Sequence, residues 1–523
     1  MLSMLLIAVV LLPGVVSLAV VVARGRAARP IGAVGAGVAA ALFACTMVLT
    51  AAVVTHGPVQ AVVGRDPGTA WFGWYADRSA ALLLMLVAGV SAMAQAFAGR
   101  YLSGDRGRGW FVAATGLLTC GSGTLVTGAT LVSVAAGWTA TGVGLVLLLR
   151  TYPQLPSARD GARRALRTFL VGDAALWTGV AAATLRWGPV DLRHDTPPAA
   201  SGEGGWAAVI TALLVVAALT RCAQVPWHRW LPASLAAPTP VSALLHAGVV
   251  NGGGVLLLRS AAITDGAPAI LFLAVASGAA SLVYGTAMML VRPDVKGSLA
   301  YSTIGQMGFM IMTAGLGWHA ITVLHIVGHG LYKAALFLGS GSAVERHARQ
   351  IPYEAARPGR VRALRLAAAL MTAIAVAGAE AWRPYPGGPA LAVFVWASAT
   401  TVCWGWLRRR ATPAGALGIT ATVAMAAFAY VAIAHAATVL LALPDRELPG
   451  AGIVTAAVAA AAAAVGVLRH RGSGALASWH KTIYTNLLTA DRGRRLRPAP
   501  ARHGDAVARS RTITDPITVG TLS

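Results

Sequence analysis

The chain has 523 residues, of which 57% are hydrophobic and only 11% charged, with a formal net charge of +24. Soluble domains carry about 25% charged residues, so a soluble multidomain protein is excluded, because too few polar residues exist to cover its surfaces. Nucleic-acid binding is excluded as well: most of the arginines lie in short loops between apolar runs and in the C-terminal tail, where the positive-inside rule places them, and no basic stripe carries interleaved aromatics.

Taken in chain order, apolar runs of the ~20 residues that cross a bilayer predict about fifteen spans. They cover 2–23, 31–55, 79–98, 110–127, 129–149, 167–186, 205–224, 239–258, 268–291, 298–316, 319–342, 362–379, 388–407, 414–443 and 449–468. The first run lacks a basic leader and is followed by Arg24, Arg26 and Arg29, which favours a retained helix over a cleaved signal peptide. Arginine-rich loops follow spans 1, 3, 5, 11 and 13, for example Arg159, Arg163, Arg164 and Arg167, then Arg408, Arg409 and Arg410. Even-numbered loops are poorer in charge or pair it, as Asp191 does beside Arg193. This alternation predicts an outside N-terminus and a cytoplasmic C-terminus in a bacterial inner membrane. The expected architecture is an all-α polytopic transmembrane bundle with broken helices and inverted repeats. Its membrane domain covers 1–468, with a core at about 110–410, and a basic, partly disordered tail covers 469–523.

Cys45, Cys120, Cys222 and Cys403 are far apart and without CxxC spacing, so neither a disulfide framework nor a cysteine metal site is expected.

An ionisable group in hydrocarbon costs about 2.5–3.5 kcal/mol on insertion scales, so each such group is a functional candidate. Only three lysines exist, and Lys333 alone lies inside a span. His325, His329 and Lys333 follow one another at i, i+4, i+8 and therefore share one helix face. Lysine and histidine both change charge readily, so the row suits a proton relay. It suits a metal poorly, because the lysine opposes a cation and no third ligand is evident. Around span 7, Pro226, Pro232, Pro238 and Pro240 fall within fifteen residues and cannot share one intact helix. At membrane depth such a break is tolerated only inside protein or beside a water-filled cavity, and transporters place ion sites there. His246 follows that break. Asp173 in span 6 needs a cationic partner, with Arg221 and His246 as candidates. Glu380 ends span 12, where it either takes part in ion movement or snorkels to the interface. His435 reads as structural.

Together these residues form one ordered set: Gln224-Val-Pro-Trp-His228-Arg-Trp-Leu-Pro232, Pro238-Thr-Pro-Val-Ser-Ala-Leu-Leu-His246-Ala, Asp294-Val-Lys-Gly-Ser-Leu-Ala-Tyr-Ser-Thr-Ile-Gly-Gln306, and His325-x3-His329-x3-Lys333. The set resembles the proton-conducting membrane transporter family. That family holds the antiporter-like subunits of respiratory complex I, the Mrp sodium/proton antiporters and the membrane subunit of the DAB inorganic-carbon pump. The run Asn251-Gly252-Gly253-Gly254, together with a tail lacking a long lateral helix, resembles the DAB subunit. A complex I, hydrogenase or Mrp-type proton-translocating subunit is the alternative. The resemblance implies an energy-coupling subunit without chemistry of its own, driven by protons or sodium. It also implies a large cytoplasmic, zinc-dependent, carbonic-anhydrase-like (DabA-like) partner that carries the zinc, so that this chain holds no cofactor. The chain departs from the family in three places. Thr139 follows Trp138 where a glutamate is usual, Arg221 stands where a lysine is usual, and the end of span 12 lacks the family's lysine. Arginine stays protonated in proteins, so Arg221 biases its neighbours without carrying a proton itself.

Overall fold

The computed structural model describes residues 1–23, 28–63, 70–193, 204–292, 294–342, 358–382, 388–407, 413–443 and 452. The chain divides into two units, Met1–Gly466 and Val467–Ser523, and all described residues fall in the first.

Its helices are α1 (Leu2–Val22), α2 (Ala28–His56), α3 (Arg78–Tyr101), α4 (Arg108–Thr127), α5 (Leu131–Leu149), α6 (Pro156–Trp187), α7 (Gly204–Arg221), α8 (Trp230–Ala233), α9 (Thr239–Ala247), α10 (Gly252–Arg259), α11 (Ala261–Thr264), α12 (Pro268–Val291), α13 (Val295–Gly315), α14 (His319–Leu338), α15 (Pro358–Trp382), α16 (Gly388–Leu407) and α17 (Pro413–Leu441). Among the described residues, eleven helical segments are long and apolar enough to cross a membrane. The first fourteen expected spans are all helical, span 8 in two pieces. The fifteenth, apart from Gly452, and the basic tail lie outside the described residues. The expected all-α transmembrane bundle is therefore the observed one, and the chain is a multi-pass membrane protein.

Helix ends follow local chemistry. Asp77 accepts from the Ala80 N–H at 2.8 Å to start α3, and Thr130 accepts from Ser133 N–H at 3.1 Å to start α5, each satisfying an orphan donor. Pro156 opens α6, where its missing N–H costs nothing. At 32 residues, α6 is about 48 Å long, longer than the ~30 Å hydrocarbon layer. Its first turns, with Arg159, Arg163, Arg164 and Arg167 all exposed, project beyond it.

One element was not expected. Between α2 and α3 lie two short antiparallel strands, β1 (Val59–Val63) and β2 (Phe72–Ala76), in register from Val59–Ala76 to Val63–Phe72. The hairpin is sewn to two other connections. Ala129 N–H donates to Gly73 O, Leu192 N–H to Ala129 O and Leu131 N–H to Val190 O, at 2.8–3.1 Å. Arg193 closes the cap, bridging Asp191 at 2.6 Å and Gln60 at 2.8 Å. Arg259 at the end of α10 ties it down, pairing with Asp77 at 2.9 Å and donating to Gly128 O at 2.7 Å.

Candidate functional site

The site is built where α7 stops. Ala223 takes a left-handed conformation at φ 52°, Gln224 N–H donates to Leu219 O and Ala223 N–H to Thr220 O. That is a Schellman cap, made here without the usual glycine. Pro226 then precedes a 3-10 turn at Trp227–Arg229, Pro232 lies within α8, and Pro238 and Pro240 start α9. The exposed backbone finds partners inside the protein, as a break at membrane depth requires. Val225 N–H donates to Ser281 Oγ at 2.9 Å, Ser277 Oγ donates to Val225 O at 2.7 Å, and the Trp230 indole donates to Thr220 O at 3.0 Å.

A second break was missed. The expected span 239–258 is interrupted at Gly248, passes through a 3-10 turn at Val249–Asn251, and restarts as α10. The glycines seat this restart. A Cβ on Gly253 would lie 2.5 Å from Ala218 O and Cys222 Sγ on α7, and one on Gly254 would lie 2.7 Å from Met310 Sδ on α13.

Two groups of ionisable side chains flank these breaks. In the first, Arg221, 1% exposed, pairs with Asp173 at 3.2 Å and donates to Trp138 O at 3.2 Å. Its guanidinium lies 4.3 Å from the Trp138 ring centre and 4.4 Å from that of Phe169. The Trp138 indole donates to Asp173 at 2.7 Å. Of the two candidate partners for Asp173, the structure pairs it with Arg221. The acid that α5 lacks after Trp138 thus meets the same tryptophan from α6.

In the second group, Lys333 is fully buried and donates to Ser302 Oγ at 2.9 Å and Leu299 O at 3.4 Å on α13. It sits towards the C-terminal end of α14, which stops at Leu338 and is followed by a 3-10 turn. His246 shares a hydrogen bond with Thr303 at 3.1 Å and stacks on Phe337 at 4.2 Å. His329 and His325 stack at 5.7 Å with an interplanar angle of 12°. His329 is buried with both ring nitrogens unpartnered, and His325, half-buried, leaves Nε2 unpartnered. The expected face is therefore real, and α9 and α13 complete it. Glu380 lies half-buried at the end of α15, which packs on α16 and α17. His435 is on α17.

Trp138, Ser302, Thr303 and Arg259 were not singled out from sequence as site residues. Ser302 and Thr303 stood inside the long motif before Gln306, which was the available signal. Nothing marked Arg259, since an arginine ending a span normally reads as interfacial.

A model of the family described as NADH:quinone oxidoreductase/Mrp antiporter, TM, matches residues 129–407. The chain is similar to the probable inorganic carbon transporter subunit DabB of Bacillus subtilis, 39% identical over 280 residues, covering 52% of this chain and 54% of that one. It is similar to NADH-quinone oxidoreductase subunit L of Mycobacterium tuberculosis, 33% identical over 300 residues, covering 56% and 46%. The chain spans about half the length of the curated relatives it matches. Its fold matches a chain of the Mrp complex from Dietzia sp. DQ12-45-1b with a TM-score of 0.63 at 23% identity, covering 94% of this chain and 60% of that one.

Proposed function

Because the chain belongs to the NADH:quinone oxidoreductase/Mrp antiporter transmembrane family, we propose that it is the energy-coupling membrane subunit of an inorganic-carbon uptake pump. In this reading a proton or sodium gradient, dissipated through this chain, drives a large cytoplasmic zinc-dependent, carbonic-anhydrase-like partner that converts carbon dioxide to bicarbonate. The single observation that carries ion coupling is the buried Lys333. It is held by Ser302 and a carbonyl, with no described acid paired to it, on the face that carries His329 and His325 and near the broken helix that bears His246. Ser302 Oγ and Leu299 O both accept from its Nζ. The unpartnered imidazole nitrogens of His329 supply one acceptor and one donor in either neutral tautomer, which is what a relay requires. Arg221, locked between two aromatic rings and Asp173, acts as a fixed positive charge that sets the field rather than as a carrier. The choice of inorganic carbon is supported by the likeness to DabB and by the glycine run that seats α10. Loop charge supports a cytoplasmic C-terminus and an outside N-terminus.

The alternative is a proton-translocating subunit of an NADH-quinone oxidoreductase or an Mrp-type complex, favoured by the likeness to subunit L. Co-expression with the partner in a host lacking carbonic anhydrase tests the first reading. Growth in air is expected, and Lys333→Ala abolishes it at unchanged membrane abundance. An intact, inserted pair that gives no growth retires the carbon reading. Co-purification with flavin- or quinone-binding subunits, instead of a zinc protein, establishes the alternative.

A further inference from the structure

Two small cavities lie on the α3–α4 side of the break. One, with about 40 Å³ of space for water, is lined by Arg221, Asn251, Ser122 and Thr141 among apolar side chains. The other, with about 20 Å³, lies against α1 and α2 and is lined by Gln95. Both are also lined by Ser91 and Thr119, so this hydroxyl pair is their common wall. The hydrogen bonds across it run one way: Gln95 Nε2 donates to Ser91 Oγ at 3.3 Å, and Thr119 Oγ1 donates to Thr115 O at 2.8 Å. Ser91 Oγ, 2.8 Å from Thr119 Oγ1, then donates to it.

That arrangement uses every donor on the wall and leaves three orphans, each at least nine-tenths buried and each lining a cavity. Gln95 Oε1 and Asn251 Oδ1 lack a donor, and Arg221 Nε lacks an acceptor. A buried polar group left without a partner destabilises the fold. A ligand that both accepts from the guanidinium and donates to the amide oxygens satisfies all of them. Water does both, and each cavity has space for at least one molecule beside these polar groups. We propose that these cavities form a hydrated side branch, which connects the Arg221–Asp173 pair to the α1–α2 side of the bundle through a gate made by Ser91 and Thr119. Hydroxyls that donate and accept in series pass a hydrogen-bond chain, and so an excess proton, without being charged at rest. The branch depends on no assumption about which substrate the protein serves.

The test is thiol accessibility in the full, membrane-inserted chain with its four native cysteines replaced by alanine. Thr119→Cys and Asn251→Cys are expected to react with Ag⁺, a charged, thiol-reactive ion about as wide as a water molecule, at least about tenfold faster than Ala114→Cys. Ala114 is buried on the same helix as Thr119 but lines neither cavity. A second readout uses the unmutated chain. Hydroxyl radicals generated by radiolysis in bound water should oxidise Leu118 and Val126, which line the larger cavity, and spare the fully buried Leu145. Thiol rates equal to that of Ala114→Cys, or Leu118 and Val126 as unreactive as Leu145, overturn the branch. Neither readout depends on transport, so failure of the inorganic-carbon reading leaves this result standing.

Discussion

Replacing Asp173 by leucine strips the buried Arg221 guanidinium of its counter-charge. Breaking a buried pair costs ~3–5 kcal/mol, because the survivor stays charged and dry. Asp173 is 20% exposed while Arg221 is 1% exposed, so some water can take the carboxylate's place, and the lower end of that range applies. The Trp138 indole also loses its acceptor. The ring contacts of Trp138 and Phe169 survive, and a cation over an aromatic face retains ~0.5–2 kcal/mol. The expected loss is therefore about 3 kcal/mol, roughly a hundredfold in the folding equilibrium. Removing the charge as well should restore most of it, since buried pairs replaced by apolar side chains of similar volume are often neutral or better. The assay is a double-mutant cycle of Asp173→Leu, Arg221→Met and both, read as reversible SDS-induced unfolding of the full chain in bicelles. A coupling of about 2–3 kcal/mol is expected. Single-mutant losses that simply add, within about 0.5 kcal/mol, refute the pairing and with it the view of Arg221 as a charge fixed in place by Asp173.

Three further outcomes follow from the geometry. Gly253→Ala drives a methyl into the α7 backbone and should cost about 1–2 kcal/mol by overpacking in the same unfolding assay. Gly328→Ala on α14 meets nothing within 4 Å and should stabilise by about 0.5–1 kcal/mol, the helical cost of glycine. Tyr152, in the α5–α6 turn, donates to Asp105 at 2.6 Å; burial, then that bond and the Asp105 charge, push its phenol from 10 up to about 12. A raised folded-state value means that the bond contributes fully below pH 10 and is lost as pH rises through about 12. Tyrosinate absorbance should show the Tyr152 transition near 12, and Asp105→Asn should return it towards 10.

Helices were legible because apolar length and loop charge are both set by the bilayer, which leaves little room for other solutions. The hairpin was not, because five-residue strands interrupted by Gly73 carry no period long enough to stand out from a loop. The prolines announced the first break, but the second, at Gly248, uses glycines that a helix also tolerates. On α14, regular spacing alone put Lys333, His329 and His325 on one face. Which hydroxyls meet them depends on how α13 packs, and no local pattern encodes that. Asp173 called for a cation on general grounds. The choice of Arg221 over His246, and the tryptophan that binds both members of the pair, came only from the packing of α5, α6 and α7.

The stitched cap formed by the hairpin, the α4–α5 turn and the segment after α6 has a mechanical meaning. Arg259 fastens the far end of the broken helix to it through Asp77 and Gly128, and the Asp77 carboxyl is held below its ordinary value: burial acts upward, but the Arg259 charge and the bonds from Ser79 and Ala80 outweigh it. The clamp therefore stays charged well into the acid range. A rod clamped at one end moves least there and most at its free joints. With α10 pinned at Arg259, the compliance of this element collects at Gly248 and at Ala223, on either side of His246. The histidine is carried on the arm between two joints, so a rotation at either one would move its ring relative to Thr303 on α13 and Phe337 on α14.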